Sequence, residues 1–253
     1  MDKNKRSVEE RKNEFLKLSQ QIINCNRCPR LVEWRKYVSD KKTRRFSNQE
    51  YRGKPVPSFG DPNAELLIAG IAPAAHGENR TGRAFTGDCT GDLVYRTLHR
   101  FGFAKQPISK HIDDGLQLYN CIITAICRCV PPGNKPTHEE ISNCRPYLLR
   151  EIELFNNLNV IVAFGKIAFE ATVSIFIEAG NVSFYKRPVF KHEGKYSIND
   201  RITIVASYHP GQRNIFTGKM SESMLNSIFQ LVFNLLDPKE CYSKSSNSYY
   251  NNI

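Results

Sequence analysis

The feature that most constrains this chain is an alternation of two kinds of segment. Four short apolar runs occur at residues 64–72 (AELLIAGIA), 116–126 (LQLYNCIITAI), 159–164 (NVIVAF) and 202–207 (ITIVAS). The first is stopped by Pro73, and all four read as buried strands. Between and around them lie segments with three- and four-residue apolar spacing at 93–101, 139–158, 166–177 and 222–236. A polar helical opening from about 7 to 21 carries Phe15 and Leu18 at the same spacing, continued by Ile22. Strands that alternate with helices predict a parallel sheet covered by helices on both faces.

The chain has 253 residues, enough for one large α/β domain or two small ones. No linker of distinct composition divides it and no internal repeat occurs, so residues 1–238 read as one domain. Residues 239–253 are polar and rich in serine and asparagine, and are expected to be a disordered tail. No apolar run approaches the roughly 18–20 residues of a membrane span. The start is polar and charged, unlike a signal peptide, so the expected location is the cytoplasm, a reducing compartment.

Lysine and arginine number 36 against 25 acidic residues, a net charge of +11. Such an excess suits a polyanion, although charge runs are as often solvated faces. Eight cysteines in a reducing compartment call for a reason other than disulfides. Cys25 and Cys28 form a C-x2-C pair, and Cys129 and Cys144 stand fourteen residues apart. Four thiolates can hold zinc or an iron–sulfur cluster, and this spacing matches neither a zinc ribbon nor a ferredoxin repeat. Cys127 is the rival ligand. Cys121 reads as a small buried hydrophobe, and Cys89 and Cys241 have no partner pattern.

In parallel sheets ligands bind beyond the carboxyl ends of the strands. Here those ends carry GIAPAAHGENRTGRAFTGD, CRCVPPGNKPTHEEISNC, GK and SYHPGQRNIFTGKM. Gly70 and Ala72 allow close approach of a ligand to the backbone. Phe85 is either a stacking platform or a loop anchor. Asp88 either orients a water or caps the helix that follows, where Thr90 is also a candidate cap. His209 can donate to an oxygen that gains charge, or be structural. Asn134 lies in a proline-rich turn. Each residue is ambiguous alone; their arrival at successive strand ends is what points to a site.

The first of these loops resembles the first signature of the B-type (family five) uracil-DNA glycosylases, and SYHPGQRNIFTGKM resembles their second. CNRC, RCVPPGNKPT and Cys144 resemble their 4Fe–4S ligand set: Cys25, Cys28, Cys129 and Cys144. The resemblance implies a three-layer α/β/α sandwich with a central, mostly parallel four-stranded sheet. It implies a monofunctional DNA glycosylase that acts on single- and double-stranded DNA as a monomer, with a structural cluster. By position, Asp88 matches the water-activating aspartate, His209 the histidine on the uracil carbonyl, Phe85 the stacking ring, and Asn134 an asparagine implicated in catalysis or substrate contact. Gly70 and Ala72 would line the base, and Arg83, Lys135, Arg213 and Lys219 would hold phosphates. Two positions are notable. Ala125 stands where A-type enzymes carry an asparagine, which suggests looser base choice (uracil, with hydroxymethyluracil, hypoxanthine and xanthine as candidates). Gly211 replaces the usual serine of the HPS motif. A non-catalytic iron–sulfur module that binds nucleic acid is the alternative. A nucleotide hydrolase or transferase of α/β type is disfavoured by the lack of a G-x-x-x-x-G-K-[ST] loop.

Overall fold

The computed structural model describes residues 7–236, so the expected tail at 239–253 and Cys241 lie outside the described residues. The elements in chain order are α1 (Val8–Ile23), α2 (Pro29–Lys41), β1 (Phe59–Gly60), β2 (Leu66–Gly70), α3 (Glu78–Thr81), α4 (Cys89–Arg100), β3 (Cys121–Ala125), α5 (His138–Leu154), β4 (Val160–Phe164), α6 (Lys166–Glu178), β5 (Lys195–Ser197), β6 (Thr203–Ser207), α7 (Gln212–Phe216) and α8 (Glu222–Leu236). They build one six-stranded sheet in the order β1-β3-β2-β4-β6-β5.

The pairs β2–β3, β2–β4 and β4–β6 are parallel, whereas β1 and β5 run antiparallel at the two edges. The expected four-stranded sheet is therefore corrected to a six-stranded mixed one. The four apolar runs supply its parallel centre. The edge strands have two and three residues, too few for a period of two to be read in them. One of them lies in the turn-rich stretch 39–62, which the sequence reads as loop. Helix α2 also reaches into that stretch, ending at Lys41. The run 116–126 yields only a five-residue strand, because Asn120 takes a left-handed φ of 48° just before it. Leu116 and Leu118 stay buried nonetheless.

Alternation along β2 sorts its side chains between two cores. Leu67 and Ala69 pack with Phe15, Leu18 and Ile22 of α1, Leu148 and Ile152 of α5, and Phe169 and Val173 of α6. Leu66 and Ile68 pack with Leu93, Val94 and Leu98 of α4 and with Leu225, Phe229 and Val232 of α8. The sheet thus has helices on either face, and each fully buried large apolar side chain contributes roughly 1.5–3 kcal/mol. Capping boxes start α1 (Ser7 with Glu10) and α5 (Thr137 with Glu140).

One buried polar network crosses the centre. Arg128 donates to Glu151 Oε2 at 2.6 Å and to Ser58 Oγ at 2.8 Å. The hydroxyl of Thr124, on β3, donates to the same Glu151 oxygen at 2.9 Å. Arg128 and Glu151 are 1% and 0% exposed, so the pair is wholly withdrawn from water. It locks the end of β3 to α5, directly beside the cysteine segment.

Candidate active site

A cavity of about 480 Å³ opens at the carboxyl ends of the parallel strands. Gly70, Ala72, Phe85, Asp88, Asn134 and His209 all line it, although they come from four separate segments. Ala125 and Gly211 line it as well. Both alternatives for Asp88 prove compatible. It is the N-cap of α4, its Oδ1 accepting from Gly91 N at 2.9 Å, and it faces the cavity too. Thr90, the other candidate cap, lies inside that helix.

The ring of Phe85 is held from three sides. It meets Phe164 edge-on at 5.8 Å between centroids and stands 6.4 Å from the His209 ring. A β-carbon on Gly70 would stand 3.1 Å from Phe85 Cζ, so glycine there lets the ring lie against the strand end. A β-carbon on Gly91 would fall 1.8 Å from the Phe85 carbonyl oxygen, which excludes any side chain. Phe85 itself has a φ of 48°, a left-handed backbone rare for an aromatic residue.

His209 follows β6, and its carbonyl accepts from the Asn214 side chain at 2.8 Å. Burial lowers its imidazole from the ordinary 6.5 to about 4, so the ring is neutral across the physiological range. Gly165, just after β4, has a φ of 93°, and a β-carbon there would stand 3.6 Å from the His209 β-carbon. Lys166, next in the chain, is exposed and faces Glu170 at 3.7 Å.

Gly211 has ordinary extended backbone, yet a β-carbon there would stand 2.8 Å from His209 Nδ1. Any side chain must therefore rotate the imidazole. Gly211→Ser should lower the rate of the base release that the resemblance implies roughly threefold to tenfold, the equivalent of the roughly 0.5–1.5 kcal/mol of an off-rotamer ring. An unchanged rate under single-turnover conditions would show that the ring has room to spare.

The four cationic candidates divide. Arg213 is exposed at the cavity mouth, and Lys135 is exposed beside Asn134. Lys219 is exposed with its ammonium 4.8 Å from the Tyr208 ring centroid. Arg83 is a correction. It is 2% exposed and donates to Asp114 at 2.6 Å and to Ser109 at 2.6 Å, with its guanidinium over the Phe59 ring. Burial alone would raise the Asp114 pKa, but hydrogen bonds from Arg83 and from the Lys110 and Leu116 amides hold it well below the usual carboxylate range. Arg83 is a structural cation with no phosphate-facing surface.

Glu78 belongs to the same cavity and was missed from sequence. It is the first residue of α3 and lies nine-tenths buried behind the loop. Burial, with the nearby Asp88, pushes its carboxyl up to about 8. The Asp88 carboxyl is likewise raised by burial, against the pull of the Gly91 and Thr90 amides at the α4 N-terminus. Nothing in its motif position marks Glu78 as buried; a glutamate in a polar loop reads as solvated.

Cys25, Cys28, Cys129 and Cys144 line one small hollow together with Leu31, Arg35 and Arg128. Arg35 donates to Cys129 Sγ at 3.2 Å and Asn143 to Cys28 Sγ at 3.5 Å. Arg35 Nε is buried with no hydrogen-bond partner. Four sulfurs ringed by N–H donors and two guanidinium groups fit an anionic sulfur-bound group. Cys127 is packed behind them, its thiol donating to the Cys129 carbonyl. Among the described residues no three His, Cys, Asp or Glu side chains stand close enough to hold a single metal ion. The seven cysteines among the described residues are all free thiols.

Comparison with known proteins bears on the same segments. Residues 57–232 match the family described as the uracil DNA glycosylase superfamily. The chain is 44% identical over 214 residues to the type-5 uracil-DNA glycosylase of Mycobacterium leprae, covering 84% of this chain and 92% of that protein. It is 42% identical over 205 residues to the type-5 enzyme of Thermus thermophilus, with 81% and 90% covered. The type-4 enzyme of Archaeoglobus fulgidus is 31% identical over 159 residues, with 61% and 69% covered. With its motifs gathered on one cavity and its likeness spread over most of both chains, the protein belongs to the uracil DNA glycosylase superfamily.

Proposed function

We propose that this protein is a monofunctional uracil-DNA glycosylase that hydrolyses the N-glycosidic bond of uracil in DNA. One observation carries the reading: an aromatic ring and a carboxylate from one loop and a neutral imidazole from a distant one line a single cavity in a chain of this family. A base inside a duplex is out of reach of such a cavity, so the nucleotide must be everted into it. Arg213, Lys135 and Lys219 ring the approach as phosphate contacts. Stacking on Phe85 contributes on the order of 1–3 kcal/mol.

As the bond between the sugar C1′ and uracil N1 stretches, its electron pair moves onto the base. His209 donates its N–H to the uracil oxygen that gains this charge. The sugar becomes cationic and is steadied by the Asp88 carboxylate. Asp88 also orients the water that adds to C1′ and accepts its proton. Asn134 stands on the same rim and contacts substrate. A helix N-terminus keeps Asp88 the stronger acid of the two buried carboxyls, and the more deeply buried Glu78 is the better proton holder, so the charge resides on Asp88.

Cys25, Cys28, Cys129 and Cys144 are the ligands we assign to a structural 4Fe–4S cluster. When bound it cross-links the segment before α2 to the segment before and within α5. Purified protein should contain about four irons per chain and absorb in the visible range. Zinc in place of iron would remove the assignment.

The non-catalytic binding module is disfavoured, because the acid and the imidazole face the same hollow. Ala125 leaves the base edge without a polar reader from that position, which supports acceptance of hydroxymethyluracil, hypoxanthine and xanthine besides uracil. The deciding experiment is base release from defined duplexes carrying each lesion. Failure to release uracil from any of them would overturn the function.

A further inference from the structure

The carboxyl group of Glu78 is tied to two backbone amides from two separate stretches that line the cavity. Its Oε2 accepts from Ala74 N at 2.7 Å and its Oε1 from Phe85 N at 3.0 Å. Ala74 lies in the small-residue loop after β2, and Phe85 carries the stacking ring. One side chain therefore bridges the loop after β2 and the segment that carries the Phe85 ring. Each oxygen accepts one backbone N–H, so a single side chain fixes the positions of both amides. The span matters because Phe85 sits in a left-handed backbone, which persists only where its surroundings hold it.

We propose that Glu78 is a positioning residue that sets the separation between the 71–75 loop and the Phe85 ring, and so the width of the slot that receives the everted base. This rests on the reading of the cavity as a base pocket. Glu78 does not touch the reacting atoms; it acts through Phe85 and Ala74. Neither arginine nor lysine neutralises it, and the residue has no ion-pair partner among the described salt bridges. A group kept buried without a counter-ion and with both oxygens committed to backbone is poorly explained as a surface or stability device. Its cost is recovered only if the two amides must be held where they are.

The test has two arms, one of which is independent of catalysis. In the first, amide hydrogen exchange is followed by NMR in wild type, Glu78→Gln and Glu78→Ala. Protection at Ala74 and Phe85 is expected to fall in both variants, more in Glu78→Ala, with the strands of the sheet unchanged. In the second arm, single-turnover uracil release is measured beside affinity for a duplex carrying a tetrahydrofuran abasic site, which has no base to stack. A loosening near an ångström is worth roughly two orders of magnitude in rate. Release should therefore fall by about that factor in Glu78→Ala and by less in Glu78→Gln, with abasic-site affinity within about twofold of wild type. If Glu78→Ala does not fold, Glu78→Gln decides by the same two measurements. Wild-type protection and rate in either folded variant would overturn the proposal. A parallel loss of abasic-site affinity and rate would overturn it too, because that pattern marks general disruption. Should wild-type protein release no base at all, the glycosylase reading falls while the exchange arm still judges the clamp.

Discussion

Replacing Asp88 with asparagine should lower single-turnover release of uracil from a U:G duplex by about two orders of magnitude or more. The substitution isolates the charge, because asparagine caps a helix about as well as aspartate. The Gly91 amide keeps its acceptor, so stability should move by no more than about 0.5 kcal/mol. A rate near that of wild type would take Asp88 out of the chemistry. His209→Ala should cost a similar factor through loss of roughly 2.7–4 kcal/mol of stabilisation of the departing base. Because burial holds the imidazole at about 4, the difference between wild type and His209→Ala should be flat with pH from about 5.5 to 8. The same depression has a stability consequence of known sign. The unfolded chain binds this proton more readily than the folded one, so the contribution is complete above 6.5 and is lost as pH falls from 6.5 toward about 4.

The second large effect concerns the fold. Glu151→Ala should destabilise the protein by about 3–5 kcal/mol, since it strands the Arg128 guanidinium in the interior. The urea midpoint measures it. Without Glu151 the guanidinium would keep only its neutral contact with Ser58 Oγ, and its Nε is already buried without a partner. The double substitution Arg128→Met with Glu151→Leu should recover most of the loss, as removal of both charges removes the desolvation cost. A single mutant within about 1 kcal/mol of wild type would mean that water reaches the pair. The network also holds the Thr124 hydroxyl near the end of β3, where Thr124 lines the cavity. Its loss should therefore be felt in rate as well as in stability.

The residues differ in how legible they are from sequence. Phe85, Asp88, Asn134 and His209 sit in loops whose composition is wrong for a core, at the ends of runs whose composition is right for strands. Periodicity gives the strands, parallel pairing aligns their ends, and the site follows from that geometry. Arg83 shows the limit of the method. A loop arginine in a basic, glycine-punctuated stretch reads as a phosphate contact, and only the position of Asp114, thirty-one residues away, makes it a buried partner. Glu78 fails for the mirror reason: its neighbours in sequence are polar, whereas its neighbours in space are the backbone of Ala74 and Phe85. The edge strands β1 and β5 fall below the length at which alternation carries information.

By itself, then, the sequence determined the layered architecture and the loop residues that line the cavity, because hydrophobic period and loop composition are local properties written along the chain. Tertiary structure alone decided which charged groups are buried and what Gly211, Gly70 and Gly91 make room for. Burial and steric clearance depend on segments brought together from dozens of residues apart, and no local pattern encodes that distance.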